Sequence, residues 1–165
     1  MEIIEGNILK AKETYLVQQC NCLTVTSHGL SKTLAKTYSW GDPYRNRKSL
    51  NYRNCAVPED RDKPGTIKIL QSPDNTKAII CMFAQWAPGK PQRYKSYPDI
   101  EMDTYSNRQK WFQECLERVE KINVTELAFP WKIGCGLAGG NWNKYYNMIK
   151  AFSDRTGIKC TLYRI

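Results

Sequence analysis

Four glycines fall within seven residues in the run Ile133-Gly134-Cys135-Gly136-Leu137-Ala138-Gly139-Gly140, between an apolar stretch ending at Phe129 and a helical pattern opening near Asn143. Glycine lets backbone N–H groups close on an anion, and a helix N-terminus turns its positive end to the same place, so the run can cradle a diphosphate. The same glycines also fit a plain flexible connection between strand and helix. A second polar loop runs from Cys20-Asn21-Cys22 to His28-Gly29-Leu30. Asn21 offers a donor and an acceptor, suited to the hydroxyls of a ligand or to capping the loop's own backbone. His28, the single histidine, can activate a water or protonate a leaving oxygen, or can be no more than a hydrogen-bonded loop residue.

The elements that would carry these loops are legible in the spacing of apolar residues. Residues 15–19 read as a β-prone run and 30–38 as a helix. Residues 78–84 are continuously apolar, as expected of a strand covered on both faces, and 66–70 alternate like a partner joined through the Pro73-Asp74-Asn75 turn. From 106 to 122, Trp111, Phe112, Cys115, Leu116, Val119 and Ile122 keep helical spacing, with Arg108, Lys110, Glu114, Glu117 and Lys121 on the opposite, polar side. Residues 124–129 predict the strand that feeds the glycine run, 143–155 a helix stopped near Gly157, and 158–163 a last strand. Alternating strands and helices predict one three-layer α/β/α domain over residues 1–165, with ligands gathering beyond the carboxyl ends of the strands. Residues 41–63 and 88–103, rich in Pro, Arg, Lys and Tyr, lack sustained periodicity and read as surface insertions.

A chain of 165 residues with 25 Lys plus Arg against 16 Asp plus Glu carries net charge +9, which suits polyanionic partners or a soluble basic surface. Seven cysteines, an odd number, with no C-x-x-C and one histidine give no common zinc pattern, so no metal is expected. Cys81, Cys115 and Cys160 read as buried thiols in a reducing compartment. No apolar stretch of about twenty residues suggests a membrane span, and a cytoplasmic or nuclear monomer is the expectation.

Taken together, Ile4-Glu5-Gly6-Asn7-Ile8-Leu9, Cys20-Asn21-Cys22 and Ile133-Gly134-Cys135-Gly136-Leu137 resemble the macro domain family, which binds ADP-ribose, over nearly the whole chain. The last motif is the most specific. The resemblance is strongest to the branch holding ADP-ribose 1″-phosphate phosphatases, terminal ADP-ribose protein glycohydrolases and antitoxins that remove ADP-ribose from DNA. It implies a mixed central sheet and no cofactor. It further implies that Asn7 and the Ile8 amide read the adenine, that Asn21 and the His28-Gly29-Leu30 turn lie beside the distal ribose, and that residues 133–140 hold the diphosphate.

The chain departs from the catalytic patterns of that branch at three positions. Gln18 stands where the phosphatase has a histidine, Ala138 where the protein glycohydrolase has an aspartate, and Gln85-Trp86 where the DNA-directed enzymes have a lysine. His28 is then the first catalytic candidate, with Asn21 beside it and Lys90 and Asp42 as weaker ones. Trp86 can border the cleft or close the core. Arg93, Tyr94, Lys95 and Tyr97 mix cations and rings as a single-stranded nucleic acid would require, or as a solvated loop would. Three readings follow: a hydrolase of an ADP-ribose derivative, small or attached to protein or nucleic acid; an ADP-ribose reader without turnover; and a basic nucleic-acid-binding protein.

Overall fold

The run Ala78–Gln85 is buried at every position and forms β4, a strand of a six-stranded sheet in this computed structural model, which describes residues 1–91 and 102–165. The other strands are β1 (Glu2–Glu5), β2 (Tyr15–Asn21), β3 (Thr66–Gln71), β5 (Glu126–Pro130) and β6 (Lys159–Arg164). They lie in the order β1-β6-β5-β2-β4-β3. All neighbours are parallel except β3, which pairs antiparallel with β4 through the expected turn, so the sheet is mixed.

Among the described residues three helices complete a three-layer α/β/α architecture: α1 (Gly29–Thr37), α2 (Tyr105–Glu120) and α3 (Trp142–Thr156). Ser31 of α1 donates to the Gln18 side chain of β2 at 2.7 Å. Phe112 of α2 meets Tyr145 of α3 edge to face, ring centroids 4.8 Å apart. Gly157 ends α3 with φ +75°, a left-handed cap that costs glycine nothing sterically. Cys81, Cys115 and Cys160 are fully buried, as their surroundings predict. None of the described helices is long and apolar enough to cross a membrane.

Two sequence expectations are corrected and one strand is added. Residues 2–5 form a strand that the pattern Glu-Ile-Ile-Glu does not announce, because a short edge strand needs no alternation. Arg108, expected on the polar side of α2, is only 1% exposed. Residues 41–63 are no mere surface excursion: Tyr44, Arg47 and Ala56 are buried behind the end of β2. The ring and cation cluster at 93–97 lies outside the described residues.

Tyr163 on β6 donates to the buried Glu13 carboxylate at 2.6 Å and ties the segment before β2 to the sheet. Burial, and then that carboxylate, push its phenol up to about 12. A raised phenol favours the neutral form in the folded state, so this contribution is complete below the ordinary phenol value of about 10 and fades as pH climbs towards 12. Tyr163→Phe is expected to cost about 1–3 kcal/mol at neutral pH and to flatten the alkaline fall in melting temperature; an unchanged alkaline profile would contradict this.

Candidate functional site

The parallel strands β2, β4 and β5 end on the same side, and a cleft of about 250 Å³ opens there between two loops. At the end of β2 the register with β4 shifts between Cys20 and Asn21, so that Asn21 faces Gln85. Such a bulge re-aims the side chain that follows it. Asn21 Oδ1 accepts from the N–H groups of Leu23 at 3.0 Å and Thr24 at 2.8 Å, while Nδ2 donates to Thr24 Oγ1 at 3.0 Å. Of the two roles open to it in the sequence, Asn21 therefore performs the cap, though it also lines the cleft.

The insertion after α1 holds this loop from behind. The Tyr44 hydroxyl accepts from Asn21 N–H at 3.1 Å, and Arg47 donates to the carbonyls of Thr24 at 2.8 Å and Asn21 at 3.0 Å. Asp62 pairs with the same guanidinium at 2.6 Å. The loop then reaches His28, which is exposed and precedes α1 without a side-chain cap on the helix. The first N–H groups of a helix have no partner within it, so those of residues 29–31 stand open at the cleft wall.

The opposite wall is the glycine run. Lys132 and Gly134 adopt φ of +60° and +74°, and Gly139 one of +72°. Lys132 is the exception among these, since a left-handed backbone strains a residue with a Cβ. A Cβ on Gly134 would stand 2.7 Å from Gln19 Oε1, and one on Gly140 2.5 Å from the Gly134 carbonyl, so both positions require glycine. Gly136 differs: a Cβ there meets nothing within 4 Å. Turn bonds run from Cys135 N to Lys132 O, Gly139 N to Gly136 O and Gly140 N to Gly134 O. The N–H groups of Gly134, Gly136, Leu137 and Ala138 donate to no acceptor among the described residues. Across the cleft, Leu137 Cδ1 lies 3.7 Å from the place a Gly29 Cβ would take. Two rows of unpaired amides thus face one space.

Of the residues singled out in the sequence, Asn21, His28, Gly29, Leu30 and residues 133–138 line this cleft. Asn7 and Ile8 do not: Asn7 Oδ1 accepts from Leu9 N–H at 3.0 Å and caps a single 3₁₀ turn, and Ile8 is buried. Trp86 belongs to the core, with its carbonyl accepting from Cys22 N–H. Gly139 and Gly140 close the loop from behind, and the exposed Lys90 lies over Gly139 outside the cleft. Asp42 Oδ1 accepts from Tyr44 N–H on the far side of the insertion.

Gln19, Tyr44 and Lys132 line the cleft and were not singled out. Lys132 carried a usable signal, a cation beside a candidate anion loop. Tyr44 carried none, because its role depends on a fold-back from an aperiodic stretch. Among the described lining residues no carboxylate occurs. Burial raises Tyr44 well above the ordinary phenol range and pushes Cys135 up to about 11, with Lys132 pulling weakly the other way. Both stay protonated at neutral pH, which leaves His28 as the lining side chain of a type that exchanges protons there.

No family model matches the chain. A human protein, ADP-ribose glycohydrolase OARD1, is 37% identical over 62 residues, 38% of this chain and 40% of its own length, so the match spans two fifths of that curated relative. The macrodomain of Mycobacterium tuberculosis DarG superimposes with a TM-score of 0.65 at 18% identity, covering 99% of this chain and 97% of that one. The macrodomain of Thermus aquaticus DarG does so with a TM-score of 0.63 at 14% identity and the same coverage. A Bacteroides thetaiotaomicron protein of unknown function gives 0.69 at 18% identity, again over 99% and 97%. Since Cys135 becomes a thiolate only as pH approaches about 11, its alkylation by iodoacetamide is expected to be slow at neutral pH and to accelerate steadily towards that value; rapid neutral alkylation would contradict the burial argument.

Proposed function

We propose that this chain, which has the macro domain fold, binds ADP-ribose across the cleft and hydrolyses an ADP-ribose derivative. The observation that carries the reading is the pair of amide rows, residues 29–31 and residues 134 and 136–138, lining one cleft with open room at Gly136 and no carboxylate among the described lining residues. A diphosphate is stabilised there by N–H dipoles already fixed in place, with Lys132 at the rim as a further cation. The distal ribose then lies towards His28. Hydrolysis adds a water oxygen to the anomeric carbon as the bond to the leaving oxygen breaks; the imidazole takes the water's proton, and the leaving oxygen is protonated in turn.

The partial likeness to a human ADP-ribose glycohydrolase favours release of ADP-ribose from protein or nucleic acid over dephosphorylation of ADP-ribose 1″-phosphate. A reader without turnover is the second reading. It is favoured by the side chains of Asn21 and Gln18, whose polar atoms are engaged inside the wall, and by Gln85, whose amide donates to Ala87 O and accepts from Gln19.

Phosphorus NMR distinguishes these readings. With ADP-ribose 1″-phosphate and catalytic protein, growth of free phosphate identifies a phosphatase. Release of free ADP-ribose from an ADP-ribosylated peptide or oligonucleotide identifies a glycohydrolase. Shifted diphosphate resonances with no turnover of any of these identify a reader, and unshifted resonances at stoichiometric protein refute the binding reading. His28→Ala is expected to slow turnover by about two orders of magnitude with affinity nearly intact. Gly136→Val is expected to remove ADP-ribose binding while leaving the melting temperature within a few degrees, since the free protein has space for the new side chain.

A further inference from the structure

Arg108 sits in the first turn of α2 and is one of the most completely buried large side chains of the chain. Its nitrogen donors reach three separate stretches. Nε and Nη2 pair with the two oxygens of Asp103 at 2.7 and 2.8 Å. Nη2 also donates to the Ala87 carbonyl at 3.1 Å, just past the end of β4, and Nη1 donates to the Gly89 carbonyl at 2.6 Å. The same Nη1 reaches the Ala138 carbonyl in the glycine run at 3.5 Å. Asp103 reinforces the arrangement by accepting from Ala87 N–H at 3.1 Å. Gly89 and Ala138 both line the cleft.

The Ala138–Gly139 peptide is therefore held at both ends, its carbonyl by Arg108 and its N–H by the Gly136 carbonyl at 3.1 Å. That peptide closes the turn that displays the free amides of Gly136, Leu137 and Ala138. On the other side of the guanidinium, the Ala87 carbonyl also accepts from Gln85, whose side chain accepts from Gln19 at 2.7 Å, so the same network continues into the cleft floor. A planar fork with fixed donor directions sets the spacing of the groups it binds, which a flexible ammonium does not. A buried ion pair is weak evidence for stability, since apolar residues of similar volume often replace it without loss. Its use must then be sought in what it holds in register.

We infer that Arg108 is a positioning residue for the ligand cleft: by binding Gly89 and Ala138 at once it fixes the separation of two lining segments and presents the glycine-run amides to the ligand's anionic part. This rests on the ADP-ribose reading for its ligand but not for its geometry. The double variant Asp103→Leu with Arg108→Met removes both charges together and leaves neither buried alone. It is expected to melt cooperatively but at a lower temperature than the parent, because the Gly89 and Ala138 carbonyls lose their donor, while ADP-ribose binds at least about tenfold more weakly by calorimetry. Amide hydrogen exchange in the ligand-free protein is expected to accelerate at Gly139 and Gly140, the paired amides of the glycine run, and to change less in β4 and α3.

If the double variant does not fold, Arg108→Lys serves instead, because it keeps a charge for Asp103 but has a single nitrogen for acceptors lying in different directions; the same local acceleration and weaker binding are expected. A folded variant with parental affinity overturns the inference. If the parent itself binds no ADP-ribose, the functional reading fails, and unchanged exchange at Gly139 and Gly140 still overturns the positioning role independently.

Discussion

Arg47 and Arg108 each bury a guanidinium behind one wall of the cleft: Arg108 holds a carbonyl of the glycine run, whose N–H groups remain open, and Arg47 holds carbonyls of the loop that leads into the open N–H groups of residues 29–31. The two halves of that statement depend on each other. A loop that reserves its amides for a ligand cannot fold those amides into a helix or a ladder, so its carbonyls lose their natural partners as well. Buried carbonyls need donors. Arginine supplies several in fixed directions from a single side chain, and each of the two carries a carboxylate, Asp62 or Asp103, that balances its charge.

The resulting cleft presents backbone donors rather than side-chain charge. The end of β2 is bent by a bulge, α1 begins without a cap, and Gly134 and Gly139 take left-handed conformations. Each of these would be a local weakness in an isolated peptide. Here they lie at the carboxyl ends of parallel strands, one of which, β4, is buried along its whole length, and the sheet supports them. Gly134 is held to glycine by its left-handed backbone, and a Cβ there would also crowd the Gln19 amide and the Tyr145 ring, while Gly136 keeps open room. The scaffold needs glycine at 134 and 140, whereas nothing in the fold itself demands it at 136.

Local patterns made the sheet and the two loops readable. The continuous apolar run of β4, the turn at Pro73-Asp74-Asn75 and the helical spacing in α2 each depend on neighbours a few residues away. The glycine cluster and His28 were readable for the same reason, and the structure brings them together. Arg108 was misread because its decisive partners, Gly89 and Ala138, are 19 and 30 residues distant and are backbone carbonyls, which leave no trace in side-chain pattern. Arg47 and Tyr44 were hidden in an aperiodic stretch whose burial exists only once it folds back on Asn21. The edge strand β1 carried too few residues to set a period.

The account turns on two rows of free amides receiving one anionic ligand. Its most direct test is a proton–nitrogen NMR titration of the uniformly labelled protein with ADP-ribose. The amides of residues 29–31 and of Gly134, Gly136, Leu137 and Ala138 should shift together and saturate at a common concentration. Shifts confined to one loop, or to residues away from both, would contradict the shared cleft, and an unperturbed spectrum at millimolar ligand would remove ADP-ribose as its occupant.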